Sequence, residues 1–196
     1  WFAGRRFIAD ARALVPRSPM AELLLEGEIP FLPGKPAKIL DLCCGGGCIG
    51  ITAALEFPEA EVHLSDLSSE ALTLAQENVS LHGLDKQVTL SQGDLFESVA
   101  SGYELILCNP PYVAAEEMAE APKEYTHEPL MALVSEDEGL ALPLRILREA
   151  AEHLAPRGVL ILEVGFSHPQ LSARLAGIPL VWLEFAFGGE GVLAIS

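Results

Sequence analysis

The sequence predicts an α/β protein built on a doubly wound, mostly parallel sheet of seven strands that ends in an antiparallel hairpin. Short apolar runs alternate along the chain with longer segments of helical periodicity, which is typical of parallel strands joined by helices. The run at residues 159–164 is apolar at all but one position, as expected of a strand covered on both faces. The last two runs flank Gly188 and Gly189, and this turn signal predicts a hairpin.

The predicted strands follow one another at intervals that leave room for a helix between most of them. In chain order they are residues 37–42, 61–65, 88–91, 103–108, 159–164, 180–187 and 191–195. The first, second and fourth strands are followed at once by glycine-rich, acidic or amide residues. Because the carboxyl ends of parallel strands meet at one edge of a sheet, where ligands bind, we expect these residues to lie together.

Helices are predicted for residues 20–25, 48–57, 68–81, 139–154 and 169–176. The second helix ends before Pro58, and the third ends at His82 and Gly83, which are ordinary stop signals. A long acidic connection, residues 113–138, precedes the fourth helix. Loops of this length in compact domains are usually functional or mobile, and because this one leaves directly from Tyr112 we expect it to clamp a substrate.

Composition limits the classes of protein that this chain can be. Half of its 196 residues are hydrophobic, which fits one domain with a substantial core, and no apolar run reaches the length of a membrane span. With 12 basic and 28 acidic residues, the net charge is −16. Such a surface repels phosphate backbones and favours a basic protein partner, although acidity can also serve solubility alone.

The cysteines and histidines do not have the spacing of a metal site. Cys43, Cys44, Cys48 and Cys108 form no C-x-x-C pair, and the five histidines are scattered. We therefore expect no metal, and we interpret the cysteines as small core residues in a reducing, cytoplasmic compartment.

Residues 105–112 carry the strongest functional signal. A buried apolar strand ends at Asn109, and Pro110 and Pro111 then prevent further strand pairing. The Asn109 side-chain oxygen and the Pro110 carbonyl can each accept one N–H of a planar amino group, and Tyr112 can stack on it. An isolated proline pair would indicate a surface turn. This order of residues, directly after a buried strand, favours a catalytic site.

The glycine-rich loop at residues 43–47 follows the first strand. Gly45, Gly47 and Gly50 satisfy the dinucleotide pattern G-x-G-x-x-G, which by itself is a weak signal. Asp41, at the end of the strand, would repel a pyrophosphate but suits the ammonium group of an amino acid. The loop therefore favours a nucleoside attached to an amino acid over a dinucleotide.

Acids also follow the second and third strands. Asp66 can accept both hydroxyls of a ribose, or it can cap the next helix, a role equally open to Ser68. Asp94 can accept the adenine amino group, with Leu95 beside the ring, or it can be an ordinary turn acid. We favour the ribose for Asp66 and leave both interpretations of Asp94 open.

Taken together, these residues resemble the class I S-adenosylmethionine-dependent methyltransferases, which have a Rossmann-like fold. The stretch 109–112 is similar to the motif of enzymes that methylate planar amino groups, among them adenine-modifying DNA enzymes and protein-glutamine methyltransferases. The stretches 15–19, 124–129 and 182–191 most resemble the glutamine branch that modifies ribosomal protein L-three of the large subunit. The branch acting on peptide-chain release factors usually differs where this chain has residues 18–20.

The resemblance implies a cofactor, S-adenosylmethionine, with S-adenosylhomocysteine as product, and in-line methyl transfer to a glutamine amide nitrogen. The implied catalytic residues are Asn109, Pro110, Pro111 and Tyr112. The implied cofactor-binding residues are Pro16, Asp41, Leu42, Cys43, Gly45, Gly47, Cys48, Asp66, Leu67, Asp94, Leu95 and Asn109.

The resemblance also implies a domain organisation and a partner. We expect residues 1–36 to be a leading segment that follows an N-terminal substrate-binding domain absent from this chain, and residues 37–196 to form the methyltransferase domain. The expected partner is a basic ribosomal protein that presents a glutamine, with no stable nucleic-acid binding and no membrane.

Four alternatives remain. A glutamine methyltransferase acting on release factors would use the same chemistry. An adenine amino-group methyltransferase must grip DNA, which a net charge of −16 disfavours. A nicotinamide-dependent oxidoreductase would leave residues 109–112 without a role, and a binding module without activity would need a broken site that the sequence does not show.

Overall fold

A seven-stranded sheet forms the centre of the protein, as predicted. The computed structural model describes residues 1–14, 17–111, 139–178 and 180–196. The strands are β1 (Lys38–Leu42), β2 (Glu61–Asp66), β3 (Val88–Gln92), β4 (Tyr103–Cys108), β5 (Leu154–Glu163), β6 (Val181–Trp182) and β7 (Val192–Ile195). Their order across the sheet is β3-β2-β1-β4-β5-β7-β6.

Five helices surround this sheet within the described ranges. They are α1 (Met20–Glu26), α2 (Cys48–Glu56), α3 (Ser69–Leu81), α4 (Ala141–His153) and α5 (His168–Arg174), with a 3₁₀ turn at Gly165–Ser167. Their bounds agree with the predicted helices to within two residues at each end. Among the described residues, every helix is too short or too polar to cross a bilayer. The predicted clamp at residues 113–138 lies outside the described ranges.

The strand order reverses at β1: β2 and β3 lie on one side of it, and β4 and the later strands lie on the other. The pairs β1–β2, β2–β3, β1–β4 and β4–β5 are parallel, whereas β7 pairs antiparallel with both β5 and β6. Leu42 lies opposite both Ser65 of β2 and Cys108 of β4. The residues that follow these strands therefore meet at one edge, which we call the carboxyl edge.

Alternate residues of the central strands supply two hydrophobic cores, one on each face of the sheet. Ile39 and Leu107 face the core that includes α1, α2 and α3, and Leu40 and Ile106 face the core that includes α4 and α5. Each buried leucine or isoleucine contributes about 1.5–3 kcal/mol to folding. This burial on both faces explains why the strands are almost continuously apolar in sequence.

The C-terminal hairpin is shorter than predicted. The sequence predicted a strand over residues 180–187, but β6 comprises only Val181–Trp182. Beyond it, the backbone N–H groups of Ala186 and Phe187 donate to the Glu22 carboxylate of α1 at 2.7 and 3.2 Å. Because a side chain from another element satisfies these groups, the strand ladder does not continue.

The leading segment packs on the same core as the rest of the chain. Phe2, Met20 and Leu24 belong to the cluster that includes α2 and β1. The buried Asn78 of α3 anchors this segment by two hydrogen bonds. Its side chain accepts the Ile8 N–H at 2.7 Å and donates to the Ile8 carbonyl at 3.1 Å.

Candidate active site

A cavity of about 260 Å³ lies at the carboxyl edge. Most of the residues predicted for the site line it: Leu42, Cys43, Gly45, Asp66, Leu67, Asp94, Leu95, Asn109 and Pro111. Four predicted residues are not part of the lining: Asp41 and Pro110 lie next to lining residues in the chain, and Gly47 and Cys48 lie at the start of α2. Pro16 and Tyr112 lie outside the described residues.

The glycine loop wraps closely around the start of α2. Gly47 is the N-cap residue with a φ of 79°, and Gly45 has a φ of 53°, conformations that side chains disfavour. At Gly50, an added Cβ would lie 2.8 Å from the Asp41 Cβ. Glycine is therefore needed for α2 to pack directly on β1. The resulting arrangement leaves the loop backbone, rather than bulky side chains, beside the cavity.

Asp41 lies behind this loop, and its carboxylate holds the start of α2. The residue is 1% exposed, and its Oδ2 accepts the Gly50 N–H at 2.7 Å. Burial raises the pKa of Asp41 to about 7; the Gly50 hydrogen bond opposes the rise and the Asp66 charge adds to it. Among the described residues, Oδ1 has no hydrogen-bond partner. Any contact with an ammonium group would come from this oxygen.

Asp66 joins the glycine loop to the end of β2. Its Oδ2 accepts the Gly45 N–H at 2.8 Å, and its Oδ1 accepts the Ser68 N–H at 2.9 Å. The cap of α3 is Ser68, whose hydroxyl accepts the Ala71 N–H at 3.2 Å. Ser68, and not Asp66, is therefore the N-cap residue of α3. Ribose binding stays the predicted role of Asp66. Each carboxylate oxygen retains a lone pair for a hydroxyl donor in the cavity.

Asp94 is paired with a residue that the sequence analysis did not single out. Arg145 of α4 donates from Nη1 to Asp94 Oδ2 at 2.7 Å and from Nε to Glu149 at 2.8 Å. The pair fixes the Asp94 carboxylate beside Leu95, a buried residue with a φ of 50°. The i,i+4 spacing of Arg145 and Glu149 on a predicted helix indicates that these two residues can pair. No local pattern indicates that Arg145 also binds Asp94.

Asn109 follows the last residue of β4 and reaches the cavity from the side opposite Asp66. Cys108 before it is fully buried, whereas Asn109 and Pro111 are partly exposed and line the cavity. In the part of the chain that the structure describes, no side-chain hydrogen bond is made by Asn109. Its amide therefore remains available to a ligand. Pro110, between the two, is buried.

The sequence analysis also did not single out a buried acid on β5, the strand next to β4. Glu163 ends β5, beside Asn109, and its Oε2 accepts a hydrogen bond of 2.5 Å from the Ser18 hydroxyl. Both residues are buried, and the Ser18 oxygen also accepts the Met20 N–H at 3.1 Å. Glu163 thereby anchors the start of α1 at the carboxyl edge. The signal for it was the single acid in an otherwise apolar strand.

Three buried cysteines lie around the cavity, and burial makes each a weaker acid. Burial raises the pKa of Cys48 to about 12 and the pKa values of Cys44 and Cys108 well above the usual thiol range. A protonated thiol is a poor nucleophile, so these three side chains act as small apolar residues.

Comparison with known proteins identifies the family of the chain. The family model described as "Methyltransferase small domain" matches residues 21–137. A ribosomal protein uL3 glutamine methyltransferase of Bordetella pertussis is 44% identical over all of this chain and 67% of its own length. The protein of the same name from Francisella tularensis is 41% identical, again over all of this chain and over 63% of its own length. This chain thus spans about two thirds of these relatives.

A solved structure extends the likeness to the fold. The hMettl16 catalytic domain, in complex with a MAT2A 3'UTR hairpin, superposes with a TM-score of 0.74 at 16% identity, covering 97% of this chain and 74% of that one. At this identity the likeness concerns the fold alone, and it supports the Rossmann-like architecture predicted from the sequence.

Proposed function

The chain belongs to the methyltransferase small domain family, and we propose that it methylates the side-chain amide nitrogen of a glutamine in ribosomal protein uL3, with S-adenosylmethionine as donor. Two relatives that match the whole of this chain at 44% and 41% identity, both named ribosomal protein uL3 glutamine methyltransferase, support this substrate. We assign the transfer itself to residues 37–196.

The observation that carries the proposal is one cavity that runs from the glycine loop to Asn109. At one side, Asp66 and Asp94 supply carboxylates suited to ribose hydroxyls and an adenine amino group. Nearby, Asp41 Oδ1 and the Ser65 hydroxyl are buried polar atoms for which the described residues offer no hydrogen-bond partner. These groups fit a nucleoside joined to an amino acid, and the cofactor supplies an electrophilic methyl group when bound.

Asn109 and Pro110 act on the acceptor amide. An amide nitrogen is a poor nucleophile, because its lone pair is delocalised into the carbonyl group. If the Asn109 side-chain oxygen and the Pro110 carbonyl each accept one N–H, they hold the nitrogen in position and favour the positive charge that develops on it. The chemistry requires neither a metal nor a thiol nucleophile, in agreement with the neutral state of the buried cysteines.

The charge of the protein supports a basic substrate that is not yet covered by RNA. A net charge of −16 attracts a basic protein and repels RNA phosphate, so free uL3 should be a better substrate than the assembled ribosome. A ribosomal protein substrate also fits the cytoplasmic location expected from the cysteines.

The test is to incubate the chain with labelled S-adenosylmethionine and purified, unassembled uL3, and then to map the modified residue by mass spectrometry. We expect the label on a glutamine. The Asn109→Ala variant should lower the single-turnover rate roughly 10²-fold or more, while its affinity for S-adenosylhomocysteine changes only a few-fold.

A matched control is Gln76→Ala, which removes an exposed amide on α3 and should leave the rate unchanged. A near-normal rate in Asn109→Ala would show that the stretch 109–112 is only a turn. Preferential labelling of a peptide-chain release factor would replace the substrate but keep the chemistry.

A further inference from the structure

Two phenylalanine side chains project from the carboxyl edge beyond Asn109. Phe166, in the 3₁₀ turn after β5, is 79% exposed, and Phe187, in the turn before β7, is 94% exposed. Since β7 runs antiparallel to β5, with Val192 opposite Glu163, both turns lie at the same edge. We call these two residues the phenylalanine pair. Aromatic side chains are enriched at protein–protein interfaces relative to the rest of the protein surface.

The backbone that presents the phenylalanine pair is firmly held. The Glu22 carboxylate accepts the Phe187 N–H at 3.2 Å, and the Val164 N–H donates to the Gly191 carbonyl at 2.7 Å. A Cβ at Gly191 would collide with the backbone of Gly165, so the two turns pack directly against each other. The exposure of the pair therefore follows from a fixed geometry and not from a loose segment.

The order of strands places the pair on the approach to the acceptor site. The cavity residues that suit the cofactor follow β1, β2 and β3, and Asn109 follows β4. The phenylalanine pair belongs to β5 and β7, on the other side of Asn109. Along this edge, the side of Asn109 away from the cofactor residues is the side of β5 and β7, so a protein that inserts a glutamine from that side comes close to the pair.

The hairpin that carries Phe187 is acidic. Residues 180–196 include Glu184 and Glu190, both exposed, and no lysine or arginine. Within the described ranges, Glu190 Oε2 lies 3.4 Å from His168 Nε2. An apolar surface flanked by carboxylates fits a polypeptide that has apolar side chains next to lysine or arginine.

On the basis of the proposed function, we propose that the phenylalanine pair docks the basic polypeptide that flanks the target glutamine. The pair acts in binding the substrate protein and takes no part in methyl transfer. Exposed aromatic residues that become buried at an interface commonly dominate its binding energy.

The test compares steady-state methylation of unassembled uL3 by the wild type and by a Phe166→Ala/Phe187→Ala double variant. We expect KM to rise roughly 10-fold or more, with kcat within about twofold and S-adenosylhomocysteine affinity unchanged. Phe187→Leu in place of alanine retains apolar area and should recover much of the lost affinity. Because both side chains are exposed, the thermal midpoint should stay near that of the wild type.

The control is Leu81→Ala. Leu81 is an exposed apolar residue, 50% accessible, at the end of α3 that points away from the carboxyl edge, and its loss should leave KM unchanged. An unchanged KM in the double variant would overturn the docking proposal while the methylation stands. Failure of the wild type to methylate uL3 would instead count against the proposed function, and that result appears before any variant is compared.

Discussion

Asp41 and Asp66 lie on either side of the glycine loop, yet their carboxylates have different surroundings. Asp41 is buried and gives one oxygen to the Gly50 N–H. Asp66 lines the cavity and accepts N–H groups of both Gly45 and Ser68. The same residue type therefore holds the start of α2 in one position and lines the cavity in the other, and the two positions can be tested separately.

The buried carboxylate of Asp41 should make stability depend on pH. Its pKa is raised from 3.8 to about 7 by burial, so the folded protein holds this proton more tightly than the unfolded chain does. Stability from this group is therefore greatest below about pH 4 and is lost as the pH rises toward 7. In Asp41→Asn this loss should disappear, which urea unfolding at several pH values can measure. An identical pH dependence in variant and wild type would refute the assignment.

Asp66 should contribute directly to cofactor affinity. Asp66→Ala removes a charge-assisted acceptor and the tie to Gly45, and it should cost about 2–3 kcal/mol of affinity for S-adenosylhomocysteine. Isothermal titration calorimetry measures this change. Asp85→Ala, a carboxylate just beyond the far end of α3, is the control and should have no effect on binding. Unchanged affinity in Asp66→Ala would exclude the ribose contact.

At the scale of elements, the site depends on how closely α2 packs on the sheet. A helix at this position brings the backbone of the glycine loop to the cavity, and Gly50 allows the approach because it has no side chain. The positive φ values at Gly45 and Gly47 then turn the chain from β1 into α2. Loop and helix thus form one unit with β1.

Gly50→Ala should disrupt this unit. The new Cβ would lie 2.8 Å from the Asp41 Cβ and closer still to Leu64, so we expect a destabilisation of about 1–3 kcal/mol and weaker cofactor binding. Urea unfolding measures the first and calorimetry the second. Gly34→Ala, where an added Cβ meets nothing within 4 Å, should leave both values near those of the wild type. Equal stability of the two variants would show that α2 can shift freely.

At the scale of the whole molecule, charge and strand order act together. The strand order puts the cofactor side of the cavity, Asn109 and the phenylalanine pair in a row along one edge. The net charge of −16 acts over the entire surface and favours encounter with a basic protein. Local contacts and the overall field thus favour the same kind of substrate.

This field should make methylation of uL3 sensitive to salt. Between ionic strengths of about 0.05 M and about 0.3 M, kcat/KM for unassembled uL3 should fall by roughly tenfold or more, because salt screens the attraction. Steady-state assays across that range measure it. Affinity for S-adenosylhomocysteine, a small ligand without net charge, serves as the control and should change far less. A kcat/KM that does not vary with salt would contradict electrostatic steering.

Much of the site was predictable because its signals are local. The strand ends at Asp41, Asp66 and Asn109 are marked by a change from apolar to polar residues within the sequence itself. Parallel pairing then brings consecutive strand ends to one edge without further information. The presence of seven strands and the helix bounds followed from such local signals, and with the family resemblance so did nine of the twenty residues that line the cavity, whereas β5 begins five residues earlier than predicted.

The partners of these residues were decided only by the tertiary structure. Asp94 and Arg145 are 51 positions apart, Ser18 and Glu163 are 145 apart, and Glu22 and Ala186 are 164 apart. No local pattern encodes such pairs, because they depend on how helices pack against the finished sheet. The same packing satisfied the N–H groups of Ala186 and Phe187 from α1, which ended β6 early. The sequence thus determined the elements, the carboxyl edge and the chemistry of its residues, while packing across the sheet decided which side chains hold them in place.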